Sequence, residues 1–300
     1  MTPRLARFFE TQSARVDAAL DQVLPPAKAH PCTIHEAMRY AVFSGGKRFR
    51  PVLAIMSFQA CGGKGDRILN AACAIELIHA FSLVHDDLPA LDNDEYRRGR
   101  LSCHAQYGEA VGILAGDAML PLAFGLLCGC GTRGTEQGQA AVQVLSKAIG
   151  SYGMIGGQIA DLEHVALMES PGNRYRVKPP ASSSKPLTVK AQEVLKRLNE
   201  INAQKTAALI AASAGIGALL AGSGKALTQR LSQYGHSLGM GFQVTDDLLD
   251  SDGVVSIVGE AKAREMAERY IGEAKQQIKP LGKKAVLLDE LANFVRDRTA

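Results

Sequence analysis

The chain contains no tryptophan, and aromatic residues make up only 5% of its 300 positions. Alternating runs of Val, Ile and Thr are scarce as well, which argues against a protein built on sheets, where β-branched and aromatic residues concentrate. Neither sign of charge dominates: 34 basic residues face 30 acidic ones for a net charge of +4. That near-balance lacks the basic surplus of a nucleic-acid-binding protein, and no nucleic acid partner is expected. Cysteine occurs six times, at Cys32, Cys61, Cys73, Cys103, Cys128 and Cys130, but never in a C-x-x-C pair. Without a disulfide framework the thiols read as small core residues of a protein kept in a reducing, cytoplasmic compartment. The N-terminal MTPRLARFFETQSARVD interrupts its apolar residues with charges and supplies no signal-peptide core. Of two longer apolar runs, 111–130 carries Asp117 and Pro121, and 207–222 falls short of the ~20 residues a bilayer requires. Both read as buried helices, so stable membrane insertion is not expected.

What remains is helical. Apolar residues make up 46% of the chain and charged ones 21%, the balance of a folded protein rather than a disordered one. Apolar positions recur at the 3.6-residue period over 4–24, 33–44, 50–61, 67–87, 109–128, 136–151, 188–220, 225–249, 259–277 and 284–297, with glycines and prolines mostly between them. The expectation is an all-α single domain over 1–300, of about ten or more mostly antiparallel helices. The segment 170–190 breaks the pattern, with five basic residues, four prolines and three consecutive serines but no acid. It reads as a mobile basic loop, either a solvated insertion or an anion- or membrane-facing flap.

Two acidic clusters close apolar helices. The first is HDDLPALDND, residues 85–94; the second is DDLLD, residues 246–250. Asp246 and Asp250 are four apart and share a helical face. Asp86 and Asp92 are six apart, which on a regular helix separates them by roughly 240°. Pro89 disfavours helical geometry at Leu88 and removes a donor, permitting a bulge or helix end that brings Asp92 round. Carboxylates that leave coordination positions open suit Mg²⁺ bridged to a phosphate; solvated helix ends or structural Ca²⁺ sites are the other readings. Cations are at hand. Gly45-Gly46-Lys47-Arg48-Phe49-Arg50-Pro51 reads as an anion clamp or a solvated turn, Arg97-Arg98-Gly99-Arg100 as a second basic knot, and Lys205-Thr206 opens an apolar helix.

Taken together, GGKRFRP (45–51), IELIHAFSLVHDDLPALDNDEYRRGR (75–100), AGDAML (115–120), GGQIADL (156–162), KTAALI (205–210) and GFQVTDDLLD (241–250) resemble the short-chain trans-prenyl diphosphate synthases, and among them the bacterial-type farnesyl diphosphate synthases. The resemblance spans nearly the whole chain. It implies antiparallel helices around a deep central cavity, a homodimer, and catalysis with Mg²⁺, three ions when substrate is bound, Mn²⁺ being the other candidate. By position it implies that Asp86, Asp92 and Asp246, assisted by Asp87 and Asp250, hold the metal on an allylic diphosphate. Lys47, Arg50, His79 and Arg98 would bind isopentenyl diphosphate. Arg97, Lys205, Thr206 and Gln243 would contact the allylic substrate or its departing diphosphate, with Asp86, Asp92, Asp246, Arg97 and Lys205 as the catalytic set. On residues alone, His79 reads equally as a core-edge histidine, and Phe81 as an ordinary core ring. The resemblance gives Phe81, beside Ser82, the role of stopping the product at farnesyl diphosphate. A geranylgeranyl diphosphate synthase and a weakly active partner subunit are the alternatives; a terpene cyclase would have no use for the Lys47 and Arg50 site. The family's glycine- and lysine-containing segment after the second acidic cluster has no counterpart here before Lys262.

Overall fold

Helix α1 (Pro3–Val23) starts where the Thr2 hydroxyl accepts from the Leu5 amide and Pro3 occupies the first turn, a position that needs no amide hydrogen. Its buried residues Leu5, Phe9, Gln12, Val16 and Leu20 fall three or four apart, one stripe facing inward. The computed structural model describes residues 1–130, 135–169 and 187–298. It continues through α2 (Cys32–Val42), α3 (Phe49–Ala60), α4 (Leu69–Asp86), α5 (Cys103–Tyr107), α6 (Glu109–Cys128), α7 (Thr135–Ile149), α8 (Met154–Glu169), α9 (Val189–Asn202), α10 (Ala208–Leu220), α11 (Lys225–Asp250), α12 (Gly253–Val258), α13 (Glu260–Ile278) and α14 (Val286–Asp297). The all-α expectation holds. The basic segment 170–190 lies mostly outside the described residues.

Helices α3, α4 and α10 form the centre. On α4, eleven residues from Ala71 to Val84 are buried, and α10 buries ten of its thirteen, so neither shows the polar face of a surface helix. One apolar cluster joins α4, α6 and α7; another joins α1, α3, α11, α13 and α14. Glu109–Cys128 and Val189–Leu220 are long and apolar enough to cross a membrane, but the second is 61% buried over its most apolar window and interrupted by polar residues. The first is only 33% buried over its window and leaves Ile113 and Leu114 exposed on α6, so it is not the buried helix expected from its apolar run.

Two local departures from regular helix matter for the site. Residues 188–220, read from periodicity as one helix, are divided by a π-helical turn over Ala203–Ala207. The extra residue it accommodates shows in no hydrophobic pattern, because period-counting tolerates a slip of one. The second is a hairpin, β1 (Tyr96–Arg97) paired antiparallel with β2 (Arg100–Leu101), its two turn residues Arg98 and Gly99 at φ of 53° and 74°. Two-residue strands are too short for an alternating signature, so nothing in the pattern announced them.

Candidate functional site

Helix α4 carries its buried face, including Phe81 and Val84, down to Asp86 and there stops. Leu88 N–H donates to the His85 carbonyl at 3.1 Å, Leu91 N–H to Leu88 at 2.9 Å, and Asp92 N–H returns to the Asp86 carbonyl at 2.9 Å. This turn, entered through a proline that has no hydrogen to give, folds a six-residue interval back on itself. Asp86 and Asp92 therefore stand together. Burial, more than any neighbour, pushes the Asp86 carboxyl up to about 6; Lys205 and Arg97 draw it down, while Asp92 and Asp87 push it up. Asp87 turns the other way. It is 2% exposed and accepts from Arg97 Nε at 2.5 Å, and Arg97 also reaches Asp94 at 3.5 Å. The two residues assigned separately to metal and to allylic substrate thus spend charge on each other, with the hairpin presenting Arg97 to the helix end.

A cavity of about 360 Å³ opens beside Asp86, lined by Arg50, His79, Phe81, Ser82, Lys205 and Thr206 among others. Seven residues named from sequence thus share one wall system. A somewhat larger groove, about 450 Å³, runs between α9, α11 and α13 but is shallow and touches neither acidic cluster. Within the lining Phe81 meets the His85 ring edge-on, with centroids 5.3 Å apart, and His85 Nε2 is 3.0 Å from the Ile113 carbonyl. That contact requires the Nε2–H tautomer and ties the ring to α6.

The π-turn supplies the opposite wall. Lys205 Nζ donates to Asp161 at 2.7 Å, and Thr206 Oγ1 to Gln243 Oε1 at 3.1 Å. Gln243 Nε2 in turn donates to Asp247 at 3.1 Å, so the turn links the cavity to the second acidic cluster. Helix α8 reaches this turn only because residue 157 is glycine: a Cβ there would collide with the Lys205 amide. Asp161 and the cavity-lining Gln158 both belong to the GGQIADL string, and sequence reasoning gave neither a role. Their i, i+3 spacing on a helix was the available signal.

In the second cluster Asp247 is buried and accepts from the Val254 amide at 2.9 Å, fixing the start of α12. Asp246 pairs with Arg298, whose guanidinium also donates to the Phe242 carbonyl at 3.1 Å and lies 3.9 Å over the Phe242 ring. Burial raises the Asp246 carboxyl, and Arg298 opposes that rise. Arg298 is 52 residues away in sequence, and nothing in the local pattern points to it. Asp250 is exposed one turn on.

Two turns before Asp86 on the same face of α4, His79 lines the cavity with Arg50. Burial lowers Arg50 to about 10, still charged at neutral pH. Burial first, then the charges of Arg50, Arg98 and Arg48, holds His79 well below the usual histidine range, so its ring is neutral and keeps one donor and one acceptor. Lys47 is exposed, and Arg98, on the hairpin turn, donates to the Gly45 carbonyl.

Among the described residues no three His, Cys, Asp or Glu side chains converge closely enough to hold a metal by themselves. The donor set nevertheless fits Mg²⁺, which takes one or two carboxylates, keeps waters and shares a phosphate. Asp86, destabilised by burial and by Asp92, gains from a cation placed between them. A cavity lined by Asp86, Arg50 and Lys205 together with Leu83, Met154 and Ile159 suits anionic ligands with apolar tails.

The polyprenyl synthetase family model matches residues 31–269. Dimethylallyltranstransferase of Fischerella ambigua is 35% identical over 99% of this chain and 85% of its own length. The heterodimeric geranylgeranyl pyrophosphate synthase large subunit 1 of Arabidopsis thaliana is 36% identical over 97% of this chain and 78% of its own. Among solved structures, an FPP/GFPP synthase from Zymomonas mobilis superposes with a TM-score of 0.84 at 30% identity, covering 99% of this chain and 100% of that one. A geranyltransferase from Legionella pneumophila superposes at 0.81 with 31% identity, covering 99% and 98%. A helical fold shared end to end with these structures, and a family model spanning most of the sequence, leave one conclusion: the chain belongs to the polyprenyl synthetase family.

Proposed function

We propose that this short-chain prenyl diphosphate synthase condenses isopentenyl diphosphate with dimethylallyl or geranyl diphosphate and releases farnesyl diphosphate. The observation that carries this reading is one cavity lined together by Asp86, Lys205, Thr206, Arg50, His79 and Phe81. Magnesium, when bound by Asp86, Asp92 and Asp246, supplies positive charge that offsets the charge of the departing diphosphate. Lys205, steadied by Asp161, adds a fixed cation on the same side, and Thr206 and Gln243 add hydrogen-bonding groups. Arg50, Lys47 and the neutral His79 hold the second diphosphate, so that the isopentenyl double bond faces the allylic carbon. The allylic C1–O bond breaks, the isopentenyl double bond supplies the electron pair for the new C–C bond, and the resulting cation loses a proton to the released diphosphate. No side-chain base is required. The apolar walls Leu83, Met154, Ile155 and Ile159 keep water from the cation.

Product length rests on Phe81, 5% exposed and braced by His85, a barrier more than one turn below Asp86. Relatives named for geranylgeranyl diphosphate keep a C20 product as the second reading. A homodimer is part of the proposal, with the exposed apolar face of α6 around Ile113 and Leu114 as the surface a second copy covers; the six unpaired thiols accord with a reducing cytoplasm.

The test is turnover of the purified chain with Mg²⁺, isopentenyl diphosphate and dimethylallyl or geranyl diphosphate, with products separated by chain length. Farnesyl diphosphate as the main product is expected. A C20 product replaces the length assignment, and no turnover with any primer leaves the partner-subunit reading. Phe81→Ala is expected to shift the main product by at least one five-carbon unit; an unchanged product distribution removes Phe81 as the stop.

A further inference from the structure

The stretch of sequence GGKRFR places three cations within four positions; Lys47 is exposed and Arg50 lines the cavity. The middle one, Arg48, is turned into the core. Its Nε donates to Asp17 at 2.7 Å, one terminal nitrogen to Glu76 at 2.6 Å and the other to the Val42 carbonyl at 2.8 Å. Both Arg48 and Glu76 side chains are 4% exposed. This grip accounts for a backbone that is otherwise unfavourable: Gly45 and Gly46 have φ of 99° and 120°, and Arg48, with a Cβ to accommodate, has φ of 48°. Arg98 from the hairpin lies flat against Gly46, where a Cβ would meet its guanidinium.

Glu76 belongs to more than one of these arginines. Its Oε1 is taken by Arg48, but among the described residues its Oε2 is buried without a partner, and so is Nε of Arg50. It is the foremost neighbouring charge that favours the protonated form of both Arg50 and Arg98. It also sits one turn before His79 on the same face of α4. A buried carboxylate with one oxygen bonded and the other open, beside a buried guanidinium nitrogen that also lacks a partner, is an incomplete network, and each such atom carries a desolvation cost until it is satisfied.

We propose that Glu76 is a positioning residue for the second diphosphate: with Arg48 it fixes the 45–50 loop, and through its open oxygen it orients Arg50 so that the terminal guanidinium nitrogens face the ligand. The inference rests on the function proposed above, since it takes that ligand to be isopentenyl diphosphate. Glu76 touches no substrate. It acts by holding mutually repelling cations in one arrangement, leaving net positive charge for the diphosphate.

The experiment compares the full-length wild type, Glu76→Gln, and the double variant Arg48→Met/Glu76→Gln, each for KM with both substrates, for calorimetric binding of inorganic pyrophosphate without metal, and for thermal unfolding. Glu76→Gln is expected to raise KM for isopentenyl diphosphate about tenfold or more and to weaken pyrophosphate binding by a similar factor, as loss of a charge-assisted contact does. KM for the allylic substrate should change less than about threefold on the same scale. The double variant, which removes the buried cation that Glu76→Gln leaves with Asp17 as its one remaining carboxylate, should recover melting temperature but not affinity for isopentenyl diphosphate. Recovery of that affinity would make Glu76 only a partner of Arg48 and overturn the proposal. So would equal rises in both KM values, or unchanged or tighter pyrophosphate binding. If the wild type turns over no allylic diphosphate, the functional reading fails separately, and the pyrophosphate comparison still decides the role of Glu76.

Discussion

The two acidic clusters solve the same problem from different backbones. In each, a pair of adjacent aspartates divides its labour: the second member, Asp87 or Asp247, is buried and consumed as a brace, while the first, Asp86 or Asp246, stays on the open side. Asp87 ties the helix end to the hairpin through Arg97; Asp247 ties α11 to α12 through the Val254 amide. The difference lies in what faces the outward member. Asp86 feels only the fields of Lys205 and Arg97, each already bonded to another aspartate, and its carboxyl sits near 6. Asp246 is met directly by Arg298. One cluster waits with unspent charge, and the other is already counterbalanced. Adjacency in sequence thus says little about shared duty, because neighbours on a helix are ~100° apart and face different surroundings.

That division can be broken most sharply at the outward pair. Asp86→Ala or Asp246→Ala is expected to lower turnover about a thousandfold, the scale of losing a group that acts on charge in the transition state, with circular dichroism unchanged. The inward pair should behave oppositely in kind: Asp87→Ala or Asp247→Ala should cost about 2 kcal/mol of stability in denaturant unfolding, through a lost buried hydrogen bond to Arg97 or to the Val254 amide. Wild-type stability in those two variants would contradict the assignment of braces.

Asp86 offers a pH-dependent measure of the same contrast. Its folded-state value, raised to about 6, lies above the ordinary carboxylate value, so between roughly pH 4 and 6 the folded state holds the proton more firmly than the unfolded chain. The penalty is therefore absent below about pH 4 and fully present above about pH 6. In metal-free protein Asp86→Asn should gain about 1 kcal/mol at pH 7, a figure discounted for partial exposure, and nothing at pH 4. The smallest effect is expected at Arg298. In Arg298→Ala, the Mg²⁺ concentration giving the half-maximal thermal shift should fall about threefold, the scale of one partly exposed ion pair. An unchanged midpoint would mean that the arginine does not compete for Asp246.

The helices were readable because burial repeats with the helical period, as in Leu5, Phe9, Gln12, Val16 and Leu20. The chemistry-bearing strings were readable too, since acids at the ends of apolar helices stand out. What sequence did not disclose was which member of each string points where. Asp87 and Arg97, named for different ligands, pair with each other. The Arg48 link to Glu76 spans 28 residues and the Arg298 link to Asp246 spans 52, distances at which only the packed fold selects the partner. Asp161 and Gln158 stayed unassigned because a polar residue in a helix gains its role from the opposing wall, here the π-turn.

That turn has a consequence for how the chain tolerates change. A π-helical turn stores one surplus residue, and each helical residue advances the side-chain direction by about 100°. Deleting a single residue between Ala203 and Ala207 would therefore let α9 and α10 merge into uninterrupted α-helix while swinging Lys205 and Thr206 out of register with Asp161 and Gln243. Point substitutions there alter one contact at a time; a length change acts as a rotary misalignment of the whole wall.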